Sequence, residues 1–219
     1  MFPERLSKGY RAFLDGRFAV ERGRYQTLAG SGQSPSIMVI GCVDSRVSPE
    51  VIFDAAPGEI LVARNVANLV PRYEPPTTSE NDISHQHGTS AALEFAVRAL
   101  KVRHIVVLGH AFCGGIKAFA SDDAPLTASD FIGRWMRQIA PAAEAIGPRA
   151  LDKGEGEEGY LRKLEFASVE LSLRNLMSFP FVKAAVEAGE LNLHGAYFGV
   201  ASGRLLVRNE KTGQFEPTN

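Results

Sequence analysis

The two cysteines of the chain each lie just after an apolar segment that is typical of a buried strand. Cys42 follows residues 37–40, and His110 and Cys113 follow residues 105–108. α/β proteins place ligand sites beyond the carboxyl ends of such strands. Two thiolates and one imidazole form a soft, nearly complete tetrahedral set for zinc. Three protein ligands leave a fourth position for water, as in a catalytic zinc site, whereas four are typical of a structural site.

Polar residues accompany the first cysteine at alternate positions. If this segment is extended, Cys42, Asp44 and Arg46 share one face. Arg46 can then hold the Asp44 carboxylate through a two-pronged hydrogen bond, which lowers the pKa of that carboxyl and fixes its oxygens. Asp44 could accept a hydrogen bond from a zinc-bound water. The alternative is that Asp44 caps a helix and Arg46 forms a surface ion pair.

His110 and Cys113 lie three residues apart, so a helical turn would place both side chains on one side. A lone histidine is more often a hydrogen-bonded core residue and a lone cysteine more often a small hydrophobe, but their joint occurrence weakens both interpretations. Gly114 and Gly115 let backbone N–H groups approach the site and stabilise an anion. Gly115 stands where a phosphate loop needs lysine, which excludes that motif. The other histidines are interpreted as structural or solvated: His85, His87, His104 and His194.

Length and composition favour one domain with one substantial core, since the chain has 219 residues of which 45% are hydrophobic. The formal charge of −1 comes from interspersed charges, which argues against a nucleic-acid or anionic-membrane partner. No apolar run approaches the roughly 18 residues of a membrane span, and the N-terminus lacks an apolar signal core. We therefore expect a cytoplasmic protein. A reducing compartment favours thiolate ligation over the alternative, a disulfide between the two cysteines.

The order of strands and helices predicts an α/β fold with parallel strand pairing, preceded by an N-terminal helical arm at residues 4–29. Strands are predicted at 37–41, 60–63 and 102–109, with a short helix opening at Pro49 and a helix from Gly88 to Leu100. A long loop at 71–87 interrupts them. Further helices are predicted at 114 onward, 128–147, 157–177 and 180–189, with an acidic link at 154–159. A strand pair at 191–198 and 205–208 closes the chain.

Together these residues resemble the β-class carbonic anhydrases, closest to the plant-like branch. The likeness covers roughly residues 33–208 and rests on both metal motifs occurring in order. The matching segments are Gly41–Val47, Pro57–Gly58, Arg64–Asn68, Gly109–Gly115, Ser178–Val182 and Leu193–Gly195.

The resemblance implies an α/β fold with a mainly parallel central β-sheet wrapped by helices. It also implies reversible hydration of carbon dioxide to bicarbonate and a proton. One Zn²⁺ per chain would be bound by Cys42, His110 and Cys113, with Asp44 and Arg46 orienting a zinc-bound hydroxide. It further implies a bicarbonate contact from Gln33 and a small apolar carbon dioxide pocket, which maps to Leu61, Val66 and Phe95. The family often has Phe at the position of Leu61 and Tyr at that of Phe95, so a hydroxyl near the pocket is missing.

The resemblance also implies a homodimer or a higher even-numbered homo-oligomer, in which the arm (residues 1–32) packs on a partner subunit and the zinc-binding core spans 33–210. Some relatives switch off when the aspartate leaves its arginine and binds zinc. Their bicarbonate site uses a tryptophan and a tyrosine, where this chain has Val39 and Phe198. We therefore predict that Asp44 stays paired with Arg46.

Three other functions remain open at this point. The same site could hydrolyse carbonyl sulfide or carbon disulfide. It could be a structural zinc module or a bicarbonate-sensing protein in which Asp44 is a permanent fourth ligand. The two thiols could also serve redox chemistry. The retained Arg46 and Gln33 argue against the structural module.

Overall fold

The computed structural model describes residues 1–75, 87–121, 124–148 and 156–218. In this part of the chain, strands form one sheet in the order β2-β1-β3-β4-β5-β6. β1 pairs in parallel with β2 and β3, and β3 in parallel with β4, whereas β5 and β6 are antiparallel. The strand bounds are β1 Ile37–Cys42, β2 Ile60–Asn65, β3 His104–His110, β4 Asn192–Phe198, β5 Leu205–Arg208 and β6 Phe215–Pro217.

The helices connect and flank these strands. Proline at the first or second position starts α3, α7 and α9, since its fixed φ suits a helix start and its missing N–H is not needed there. The α-helix bounds are α1 Glu4–Asp15, α2 Arg17–Ser31, α3 Pro49–Ile52, α4 Gly88–Glu94, α5 Gly114–Ala120, α6 Phe131–Met136, α7 Ala140–Ile146, α8 Gly156–Leu176 and α9 Pro180–Glu187. A π-helical stretch, Phe95–Ala99, continues α4, and short 3-10 turns occupy Val66–Asn68 and Arg137–Ile139.

Apolar side chains pack on both faces of the sheet. Burial of β1 and β3 on both sides explains why their sequences are apolar without strict alternation. One cluster joins Met38 and Ile105 to α8 and α9. A second cluster contains Cys42 and Cys113 and extends to Met136. The two cysteines are therefore part of the packed core at one end of the sheet.

The central prediction, a mainly parallel sheet wrapped by helices, is confirmed. The helix predicted at 128–147 is not one continuous α-helix. The chain passes from α6 through a 3-10 turn into α7, because Pro141 has no N–H to donate to the preceding turn. The predicted link at 154–159 is too long, since α8 already begins at Gly156. β6 lies beyond the predicted core boundary at 210 and had no strand prediction. Most of the predicted loop at 71–87, and His85 with it, lies outside the described residues.

The predicted arm forms α1 and α2, and neither helix contains a buried residue. Arg17 donates to the Ala55 carbonyl at 3.0 Å and Arg24 to the Pro57 carbonyl at 2.6 Å, which ties α2 to the loop before β2. Its aromatic side chains contact one another, with Phe13 6.1 Å from Tyr25 between ring centroids. Among the described helices, none has the length and apolar character needed to cross a membrane.

Candidate metal centre

The carboxyl ends of two adjacent parallel strands bring the predicted ligands together. β1 ends at Cys42 and β3 ends at His110, and the pairing of Gly41 with Leu108 places these ends side by side. Cys113 follows at the N-cap of α5. The ligand atoms of Cys42, His110 and Cys113 all lie within 4.8 Å of one another. Their side chains are 3%, 1% and 3% exposed, respectively.

The hydrogen bonding of His110 fits a metal ligand. Its Nδ1 lies 2.9 Å from the Ala111 carbonyl oxygen, which can only accept, so Nδ1 carries the proton and Nε2 has a free lone pair. Nε2 is buried and has no hydrogen-bond partner. A buried polar atom without a partner is costly, and metal coordination would satisfy it.

Both cysteines are free thiols, and their ionisation is linked. The pKa of Cys42 is lowered, chiefly by a hydrogen bond from the neighbouring Cys113 thiol and then by the nearby His110 imidazole. The pKa of Cys113 is raised, because its proton is held in that hydrogen bond and because the thiol is buried. The backbone N–H groups of Asp44 and Ala67 each lie 3.4 Å from Cys42 Sγ and stabilise its negative charge. Cys42 is therefore the thiol of the pair that ionises more readily.

Asp44 and Arg46 form the predicted two-pronged pair. Arg46 Nε donates to Asp44 Oδ1 at 2.9 Å and its Nη2 to Oδ2 at 2.7 Å. This guanidinium lowers the pKa of Asp44 well below its usual range. Arg46 Nη2 also donates to the Phe112 carbonyl at 3.0 Å, beside Cys113. The pair forms as predicted, but the backbone that carries it is not extended. β1 ends at Cys42, and residues 45 and 46 form a turn.

Arg64 is a site residue without a predicted role. It lies near the end of β2. Its Nε donates to the Cys42 carbonyl and its Nη2 to the Asp44 carbonyl, both at 2.7 Å. It therefore fixes the main chain that carries one ligand and the carboxylate. The available signal was its place in a strand that pairs with β1, where Gly41 lies opposite Arg64.

Glu165 and Tyr197 are two further residues without a predicted role. Glu165 Oε1 accepts the backbone N–H of Cys113 at 3.0 Å, and Oε2 accepts the Tyr197 hydroxyl at 2.6 Å. Burial raises the pKa of Glu165. The sequence signal was a glutamate on a helix face otherwise made of buried apolar and small residues such as Leu164 and Ser168.

The predicted substrate residues are not gathered within one chain. Val66 lines a cavity of about 600 Å³ together with Val43 and Trp135. Leu61 packs against the core, and Phe95 is 47% exposed.

The other two predicted substrate contacts are exposed. Gln33 is exposed in the segment before β1. Gly114 opens α5 with free space around its Cα, whereas Gly115 is tightly packed. The substrate assignments therefore stay predictions.

The remaining described histidines lie away from the three ligands. His87 Nδ1 contacts the Ser90 hydroxyl at 2.9 Å, at the start of α4. His104 Nδ1 and His194 Nε2 lie 3.1 Å apart on the neighbouring strands β3 and β4. These contacts agree with the predicted structural role.

Fold and site together define an α/β protein with a buried Cys-His-Cys group able to hold a metal ion. The family model for carbonic anhydrase matches residues 37–205. Beta carbonic anhydrase 3 of Arabidopsis thaliana is 35% identical over 202 residues, which cover 91% of this chain and 74% of that protein. The chain belongs to the β-carbonic anhydrase family, whose enzymes are lyases.

Solved structures of this family have the same fold. The β-carbonic anhydrase CcaA superposes with a TM-score of 0.82 at 25% identity, covering 99% of this chain and 92% of that chain. One of two tetrameric β-carbonic anhydrases from Sordaria macrospora gives 0.76 at 30% identity, with 93% and 94% covered. The Coccomyxa enzyme in complex with acetazolamide gives 0.75 at 31% identity, with 92% and 84% covered.

Proposed function

We propose that this protein catalyses the reversible hydration of carbon dioxide with one Zn²⁺ per chain, bound by Cys42, His110 and Cys113. The observation that carries the proposal is the buried, unpartnered Nε2 of His110 beside two free thiols. Two sulfurs and one imidazole nitrogen are ligands that zinc prefers. Family membership supports the reaction.

The place of Asp44 favours a catalytic site over a structural one. Within the described residues, the group able to hold a metal has three members, and Asp44 is not one of them. Its carboxylate is occupied by Arg46 at 2.7 and 2.9 Å. A site with three protein ligands keeps a position for water. The alternative with Asp44 as a permanent fourth ligand is therefore disfavoured.

Zinc, when bound, lowers the pKa of water from about 15.7 to about 7 and so supplies a nucleophile near neutral pH. The Asp44 carboxylate stays ionised because Arg46 lowers its pKa, and it can accept a hydrogen bond from the attacking water. That hydrogen bond orients the water lone pair toward the carbon of carbon dioxide. Arg46 and Arg64 in turn hold the side chain and main chain of Asp44 in place.

A small apolar substrate suits the surroundings of this site. Val43 is 51% exposed and, with Val66, lines the cavity of about 600 Å³. We propose that Leu61, Val66 and Phe95 contact carbon dioxide and that Gln33 and the Gly114 backbone contact bicarbonate, with a second chain completing the pocket. Hydrolysis of carbonyl sulfide or carbon disulfide has no observation in its favour.

We further propose a homo-oligomer built from dimers. α1 and α2 contain no buried residue, and their side chains Leu6, Tyr10 and Val20 are 55%, 61% and 88% exposed. Apolar surface of this kind is stabilised by a partner. Tetramers of two Sordaria macrospora relatives support the proposal. Cytoplasmic location remains a proposal from the sequence.

The test is stopped-flow carbon dioxide hydration with a pH indicator, on protein whose zinc content has been measured. We expect fast hydration at one zinc per chain. Because two thiolates donate more charge to zinc than neutral imidazoles do, the rate should rise from about pH 6.5 to about pH 9. Full zinc content with no hydration in this range would refute the proposal.

The variant Asp44→Asn should lose about 10²-fold in kcat/KM at unchanged zinc content, because the orienting carboxylate is gone. The matched control is Glu187→Gln, which removes an exposed carboxylate paired with Lys183 on α9. That control should retain wild-type activity. Equal activity of both variants would show that Asp44 has no catalytic role.

A further inference from the structure

Glu165 lies in an unusual place for a glutamate. It is 4% exposed. Among the Asp, Glu, Lys and Arg residues that the structure describes, it alone is buried. Burying a carboxyl group is unfavourable unless its oxygens are hydrogen-bonded. Both oxygens of Glu165 are indeed used, and each bond goes to a different element of the fold.

The first oxygen contacts a predicted metal ligand. Oε1 accepts the backbone N–H of Cys113 at 3.0 Å. Cys113 is the N-cap of α5, so its backbone N–H has no acceptor within that helix. The N–H is buried with its residue, so Glu165 supplies the acceptor that it needs.

The second oxygen is held by Tyr197. The phenol donates to Oε2 at 2.6 Å, and Tyr197 is itself 5% exposed on β4. The Tyr197 ring packs against Phe166, the next residue of α8, with centroids 4.3 Å apart. Tyr197 therefore holds one oxygen of Glu165, and its own ring is held against α8.

We propose that Glu165, fixed by Tyr197, is a positioning residue that holds the main chain of Cys113 where its sulfur meets the metal. This inference rests on the proposed zinc site. Metal ligands need placement within about 0.2 Å, and partners that hold them change metal affinity by about 10- to 100-fold when they are lost. The contact runs from the middle of α8, a helix of 21 residues.

The test measures metal binding without turnover. Zinc affinity is measured by competition with a chelating dye, and the site geometry by the absorption of Co²⁺-substituted protein, whose thiolate and ligand-field bands respond to sulfur placement. Glu165→Leu removes the acceptor, and we expect 10- to 100-fold weaker zinc binding with altered Co²⁺ bands. Glu165→Gln keeps an oxygen for the Cys113 N–H and should rescue both readouts to within about threefold.

Tyr197→Phe tests the same inference without an apolar group at position 165. It leaves the ring and removes only the hydroxyl, so we expect an intermediate loss of affinity, about three- to tenfold. The matched control is Glu170→Leu, which removes another carboxylate of α8, one paired with Arg208 on β5. That variant should bind zinc like the wild type, even if its stability falls.

Wild-type zinc affinity and Co²⁺ bands in folded Glu165→Leu would overturn the inference. If that variant fails to fold, wild-type binding by Tyr197→Phe would overturn it equally. A zinc-loaded wild type that does not hydrate carbon dioxide would refute the proposed function alone. A wild type that binds neither Zn²⁺ nor Co²⁺ would refute both.

Discussion

The glycine pair that opens α5 offers a sharp test of how the site is packed. A Cβ at Gly115 would lie 2.9 Å from Val66 Cγ1, 3.1 Å from Ala67 Cβ and 3.2 Å from Met136 Sδ. Carbon contacts prefer about 3.5–4.0 Å, so the neighbours would have to move. At the adjacent Gly114 a Cβ would meet nothing within 4 Å. The two positions therefore form a matched pair.

The neighbours of Gly115 have little freedom to move. Ala67 lies in a left-handed conformation with φ of 64°, and the Trp135 indole N–H donates to the Val66 carbonyl at 2.7 Å. Overpacking of this kind costs about 1–3 kcal/mol, and the better helix propensity of alanine offsets less than about 1 kcal/mol. We expect Gly115→Ala to lose about 1–2 kcal/mol of unfolding free energy. In a chain of this size that lowers Tm by about 2–8 °C.

The assay is thermal unfolding of zinc-loaded protein, followed by the fluorescence of Trp135, the single tryptophan of the chain. Both variants are compared at one protein concentration, because zinc and oligomerisation shift the apparent stability. Gly114→Ala should unfold at or slightly above the wild-type temperature. A Gly115→Ala protein that is as stable as Gly114→Ala would refute the packing argument.

Three further predictions concern the site and the sheet. Arg64→Met should reduce kcat/KM about 10- to 100-fold, measured by stopped-flow hydration, because the carbonyls of Cys42 and Asp44 lose their donor; unchanged kcat/KM would contradict this role. Thiol titration should detect two reactive thiols after chelation and none in the zinc-loaded protein, whereas two reactive thiols in both would favour redox chemistry. Burial, then the neighbouring His104, lowers the pKa of His194. In the unfolded chain His194 has a pKa of about 6.5, so as the pH falls the unfolded state binds this proton before the folded state does. The free energy of unfolding is therefore unaffected by this group above about pH 6.5 and falls by at most about 1.4 kcal/mol per pH unit below it. In urea unfolding of the chelated protein, His194→Gln should remove that part of the pH dependence, and parallel curves for the two proteins would disprove it.

The sequence was sufficient to predict the Cys-His-Cys group, because its three residues lie at or just after strand ends. Apolar runs specify β1 and β3 as buried parallel strands, and such strands end at a common edge of the sheet. Cys42, His110 and Cys113 therefore had to meet once both strands were recognised. The pairing of Asp44 with Arg46 was equally local, since the two residues lie two positions apart whichever backbone conformation joins them.

Other elements could not be derived in this way. The helix at 128–147 is periodic in sequence, but Pro141 breaks the hydrogen-bond ladder and its effect on the path depends on packing against α8. β6 is three residues long and exists because β5 presents an edge to it. Its sequence carries too few residues for a periodic signal.

The sequence by itself determined which residues form the candidate site: the predicted metal ligands, the carboxylate with its arginine and the strands that carry them, because each depends on residue types at short spacing. Only the tertiary structure decided how the site is held. Arg64 and Glu165 reach the ligand segments from 22 and 52 residues away, and Tyr197 reaches Glu165 from 32 residues away. Contacts over such separations depend on how helices and strands pack, and local periodicity does not encode that arrangement.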